Sequence, residues 1–73
     1  MLPRPDPNLP RLDGYEVDRV PAFRAAKGYV CPGCGNPIPP RTGHVVAWPD
    51  GLVDDRRHWH LHCWRLAANR GRV

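Results

Sequence analysis

Two short stretches of this chain hold most of the side chains able to do inorganic chemistry: CPGCG at 31–35 and RRHWHLHCW at 56–64. The first presents two thiols three positions apart, a spacing at which one tight turn lets both sulfurs grip a single ion. Pro32 and Gly33 favour such a turn, and Gly35 can adopt the positive φ that aims nearby N–H groups at sulfur. The second stretch offers His58, His60, His62 and Cys63. With 3 cysteines in the chain, the second pair has to be a histidine with Cys63. His62 is adjacent to Cys63 and diverges from it on a helix or a strand, and His58 is five positions away, awkward for a shared chelate. His60 and Cys63 stand at i and i+3, on one face of a helical turn. The expected ligand set is therefore Cys31, Cys34, His60 and Cys63, spaced C-x2-C-x25-H-x2-C. Three thiolates and an imidazole favour one Zn²⁺, and four protein ligands leave no position for a reacting water, so the site reads as structural.

Size explains why a metal would be needed. A chain of 73 residues buries only about 60% of its unfolded surface, and domains of this size often need a metal or a disulfide. The apolar inventory is thin, with 1 Phe, 3 Trp and 2 Tyr beside scattered Val and Leu. An odd cysteine count argues against a secreted disulfide scaffold, so thiolates on a metal in a reducing, cytoplasmic setting are expected. A redox dithiol would need a helix after the first cysteine, which Pro32, Gly33 and Pro37 deny. A catalytic cysteine served by His60 is weaker still, because a zinc-bound thiolate is quenched. The formal net charge of +4 stays positive after zinc binding and suits an acidic partner, nucleic acid included. No apolar run approaches membrane-spanning length, and MLPRPDPNLP at the N-terminus has no hydrophobic signal core.

The elements that would position the ligands are short. Four prolines in the first ten residues predict a flexible Pro-rich arm over 1–13, leaving 14–73 as the zinc-finger domain. YEVDRV at 15–20 has strand composition, closed by Pro21. AFRAAKG suits one helical turn before Gly28. NPIPPRTG at 36–43 is too rich in proline for regular structure and reads as loop. HVVAW at 44–48 is a strand followed by the turn signal PDG at 49–51, and RRHWH offers a return strand. LHCWRLAANR has helical propensity, with Gly71 as its stop. The expected order is knuckle, hairpin, helix: a small zinc-stabilised α+β fold.

That arrangement, with C-x2-C followed by W-H-x2-C-W over residues 29–66, resembles the treble-clef zinc finger. It is similar to the first half of LIM domains and to the zinc fingers of poly-ADP-ribose polymerases, families that bind proteins and DNA breaks respectively. The chain also resembles a small bacterial family of short proteins with the patterns Y-x-C-P-G-C, I-x-P-G-x-x-H-V-V-A-W-P and D-R-R-H-W-H-x-x-C-W. The counterparts here are Tyr29 to Cys34, Ile38 to Pro49 and Asp55 to Trp64, with Arg41 where that pattern has glycine. Members are often labelled ATP/GTP-binding proteins. The sequence offers no G-x-x-x-x-G-K-[ST], and Lys27 is its lone lysine, so no nucleotide triphosphate is expected.

Beyond the ligands, His44 opens HVVAWPDG in a manner that resembles the strand of HNH nucleases. That chemistry also needs a further histidine after Cys63, and there is none, so a satisfied histidine in the hairpin is the plainer reading. Trp48, Trp59 and Trp64 would serve as base-stacking platforms or as packing around the zinc; in so small a chain two of the three are expected in the core. Arg65, Asn69 and Arg72 fall at i, i+4 and i+7, with Arg70 near the same end and Arg56 and Arg57 before the ligand pair. Those five arginines suit phosphate through their planar fork of donors; the alternative is a solvated helix face with Asp54 or Asp55 pairing Arg56 or Arg57. The functional expectation is a non-enzymatic structural-zinc module associated with nucleic acid, RNA or DNA, or with a ribonucleoprotein. A protein–protein adaptor is the alternative, and an HNH-like nuclease the second.

Overall fold

The longest strands form where β-branched residues cluster. The computed structural model describes residues 9–73, and within it β1 (Tyr15–Val20), β4 (His44–Pro49) and β5 (Arg57–Trp59) make an antiparallel sheet in the order β1-β4-β5. Between them, β2 (Tyr29–Val30) and β3 (Pro37–Ile38) pair as a second, two-residue ladder. One helix, α1 (Leu61–Arg70), closes the chain, and Gly71 ends it in the left-handed conformation at φ 69°. A 3₁₀ turn at Ala22–Arg24 stands where one helical turn is expected. The small α+β architecture with antiparallel sheets and a C-terminal helix is thus as expected. The loop expected throughout 36–43 is corrected at Pro37 and Ile38. Proline lacks a donor, yet on a short edge its neighbours' carbonyls and N–H groups still pair, here with Tyr29 and Val30.

Register decides what the sheet presents on each side. Val45 lies opposite Trp59, Val46 opposite His58 and Ala47 opposite Arg57. Facing residues share a side, so Val45, Ala47 and Trp59 look one way, and His44, Val46 and His58 the other. The first side carries the core: Cys31, Ile38, Val45 and Trp64 are completely enclosed, with Ala47 and Trp59 beside them. Trp59 and Trp64 meet edge to face, ring centroids 5.6 Å apart, a favoured aromatic geometry. Trp48 is only half-buried, so two of the three tryptophans are core.

Of the arm expected over 1–13, residues 1–8 lie outside the described residues. From residue 9 the chain is docked. Leu9 and Leu12 pack against the core, and the Trp64 indole N–H donates to the Pro10 carbonyl at 2.7 Å. The apolar side chains of this stretch thereby extend a core that the finger makes too small.

Candidate metal centre

Two pieces of local structure converge on the ligands. In the knuckle, the Cys31 N–H donates to the Asn36 carbonyl at 3.0 Å and the Gly35 N–H to the Cys31 carbonyl at 2.8 Å. Gly35 takes φ +73°, a conformation glycine enters without penalty. In the second piece, His60 is the N-cap of α1, extended at φ −62° and ψ 143°, with no side-chain capping bond. Its ring is therefore available to the cluster, and Cys63 follows in the first helical turn.

Sγ of Cys31, Cys34 and Cys63 and a ring nitrogen of His60 all lie within 4.8 Å of one another. His60 Nδ1 is 3.4 Å from Cys34 Sγ and 3.9 Å from Cys63 Sγ. Around a tetrahedral ion with metal–sulfur bonds of about 2.3 Å, ligand atoms stand about 3.5–3.8 Å apart. The cluster has the dimensions of a single metal site. The His60 N–H also points at Cys31 Sγ from 3.5 Å, the kind of backbone donor that steadies a ligating thiolate. Close approach depends on Gly33: a Cβ there would stand 2.9 Å from the Cys63 Cβ and 3.1 Å from the Trp59 ring.

The thiols perturb one another. Burial pushes Cys31 up, but N–H groups of His60, Cys34 and Gly33 outweigh it and bring the thiol down to about 7. Cys63 is pushed up to about 12, by burial first and then by Cys31 and Cys34 beside it. Three sulfurs in this space oppose each other's ionisation, and a cation among them would remove the conflict while releasing protons. All three cysteines are free thiols.

Four of the expected arginines border grooves. Arg56 and Arg57 are exposed and border two grooves, one with Tyr15, Trp59 and Val73, the other with Lys27, Tyr29 and His58. Arg70 and Arg72 border a third, beside Cys34 and Cys63, with His62 on its wall. Arg65, exposed on α1, borders none of these three.

A second histidine cluster lies on the other side of the sheet, and sequence reasoning missed it. His44 is 4% exposed. Its Nδ1 lies 2.8 Å from the Thr42 carbonyl and its Nε2 2.7 Å from Nδ1 of His58. The Tyr29 ring stacks on His58, centroids 3.5 Å apart and planes within 9°. Burial, then the charges of His44 and Arg56, holds His58 down to about 4. Both ring nitrogens of His44 thus have hydrogen-bond partners within the hairpin. The signal was the period of two, which puts His44 and Val46 on one side; that Val46 faces His58 is a matter of register.

Among the described residues no helix is long and apolar enough to cross a membrane. No solved structure matches the chain. Two similar proteins are "Uncharacterized protein Rv1322" of Mycobacterium tuberculosis and "Uncharacterized protein Mb1356" of Mycobacterium bovis. Each is 56% identical over 61 residues, which cover 78% of this chain and 62% of the relative. The match thus spans less than two thirds of the relatives' own length. A family model described as "Rv1322 family protein" matches residues 8–65, a span that holds all four clustered ligands, and the chain belongs to that family.

Proposed function

We propose that the chain is a non-enzymatic binding module, folded around one structural Zn²⁺ held by Cys31, Cys34, His60 and Cys63, with nucleic acid as its partner, free or in a ribonucleoprotein. The observation that carries the zinc reading is the convergence of four ligand atoms within 4.8 Å of one another from segments about 25 residues apart. The order of knuckle, β4–β5 hairpin and helix, with ligands from the knuckle and the helix start, supports a treble-clef-like arrangement. Three thiolates and one imidazole favour zinc over harder cations, and the filled ligand set gives the ion structural rather than Lewis-acid work. What supports the nucleic-acid partner is the +4 balance together with exposed arginines at the mouths of three adjoining grooves.

Elemental analysis of native protein should return one zinc per chain, and chelation should unfold it; a chelated protein with unchanged circular dichroism would reject the metal reading. Combined Arg56→Glu, Arg57→Glu, Arg70→Glu and Arg72→Glu should weaken binding to RNA and DNA and flatten its salt dependence, by about one unit of slope per lost phosphate contact. Unchanged affinity across a salt titration rejects this partner class.

A further inference from the structure

The His44–His58 pair fixes a proton arrangement with consequences outside the metal centre. The Thr42 carbonyl can only accept, so Nδ1 of His44 carries the proton and donates to it across 2.8 Å. With the His44 ring uncharged, its Nε2 is then a bare acceptor, and the atom 2.7 Å away, Nδ1 of His58, must donate. In the uncharged His58 ring that leaves Nε2 as a lone pair. Nε2 of His58 has no hydrogen-bond partner among the described residues, while no buried side-chain nitrogen or oxygen among them lacks one. That nitrogen is therefore not fully enclosed, and His58 lines a groove of about 640 Å³. Lys27, Arg56 and Arg57 stand around the same groove, with Asp54 on its wall. Tyr29 stacks on the imidazole and holds its plane.

A site with three cations and one oriented, uncharged acceptor suits a ligand that is anionic and carries a hydroxyl donor near its charge. DNA brings the phosphate without that hydroxyl; RNA brings both, one sugar apart. We propose that this groove binds a ribonucleotide unit of an RNA strand, Lys27, Arg56 and Arg57 taking the phosphate and Nε2 of His58 accepting the 2′-hydroxyl, so that RNA is selected over DNA. The inference rests on the nucleic-acid reading above and sharpens it.

The test uses the zinc-loaded full chain and labelled single strands of about a dozen nucleotides, within the range of site sizes for small modules. The strands are RNA, DNA of the same sequence with deoxyuridine for uridine, and 2′-O-methyl RNA, compared by fluorescence anisotropy. RNA should bind about five- to tenfold more tightly than DNA, the worth of one hydrogen bond to an otherwise unpaired acceptor. The 2′-O-methyl strand, which lacks the donor, should bind like DNA. His58→Asn places an amide nitrogen near the position of Nδ1, keeping a donor toward His44 and removing the outward acceptor; it should lose the RNA preference while DNA binding holds. The methylated strand tests the same bond in the unaltered protein should that variant fold poorly. Equal binding of RNA and DNA overturns this inference and leaves the broader reading standing, and binding of neither overturns both. A preference that survives methylation overturns the role of His58. A free ribonucleoside monophosphate carries the same chemistry, so displacement of RNA by it at matched concentration would assign the groove to the mononucleotide and overturn the strand.

Discussion

Arg41 sits at φ 63°, the left-handed region in which a Cβ crowds the backbone and costs an L residue about 1–2 kcal/mol. This is the position where the motif set by Ile38 to Pro49 has glycine in the family it resembles, and the backbone supplies the reason. Arg41→Gly keeps the N–H that donates to the Ala25 carbonyl at 2.6 Å and should raise stability by about 0.5–1 kcal/mol after the entropy cost of glycine; thermal melts of the zinc-loaded protein check it. Gly33→Ala should do the reverse, by about 1–3 kcal/mol, since its Cβ would press on Cys63 and Trp59. His58 gives a pH signature. Its folded value of about 4 lies below the ordinary 6.5, so the unfolded chain takes the proton first. Its contribution is complete above about pH 6.5 and is lost as pH falls toward about 4. The difference in melting temperature between wild type and His58→Asn should shrink over that window, a subtraction that removes the acid release of metal common to both. At this scale the Cys/His cluster was readable, because i, i+3 spacing and cysteine count are local facts. The His44–His58 contact was not, because fourteen residues of chain separate the rings.

Among the elements, those with strong local signals appear where composition put them: β1 at Tyr15–Val20, β4 from His44 and α1 from Leu61 to the Gly71 stop. Their pairing was less accessible. Nothing in YEVDRV says that it aligns antiparallel to HVVAWP, Tyr15 against Pro49 and Val20 against His44; burial of β4 on both faces settles that. The two-residue ladder of β2 and β3 was hidden by its prolines, whose propensity argues for loop until a partner strand is present. The segment at 9–13 is held by the Trp64 indole N–H on the Pro10 carbonyl, by the Tyr15 N–H on the Leu12 carbonyl, and by Leu9 and Leu12. Trp64→Phe keeps most of the packing and removes the donor, so stability should fall by about 0.5–1.5 kcal/mol. Trypsin should then cut after Arg11 faster than in wild type, with cleavage after Arg70 as the internal reference.

For the molecule as a whole, the ledger of cohesion is short. Among the described residues, the largest fully enclosed side chains are Trp64, Ile38, Val45 and Cys31. One of them, Cys31, also belongs to the Cys/His cluster, so the core and the candidate metal centre share a residue. Binding of a structural zinc contributes about 10–16 kcal/mol in small fingers, comparable with the entire stability of a domain. Cys31→Ala or His60→Ala should therefore abolish both metal content and the helical circular dichroism signal, rather than lower the melting point by a few degrees.

The absence of any side-chain cap at His60 has its own consequence. Ten residues of helix are too few to persist in water unaided, and the residue that would ordinarily tether the first turn spends its side chain in the cluster instead. On the zinc reading proposed above, coordination serves as the nucleus from which α1 grows. If apoprotein is titrated with Co²⁺, the visible absorption of the cobalt–thiolate chromophore and the far-ultraviolet ellipticity should rise along one superimposable curve, reaching their plateau at the same equivalence point.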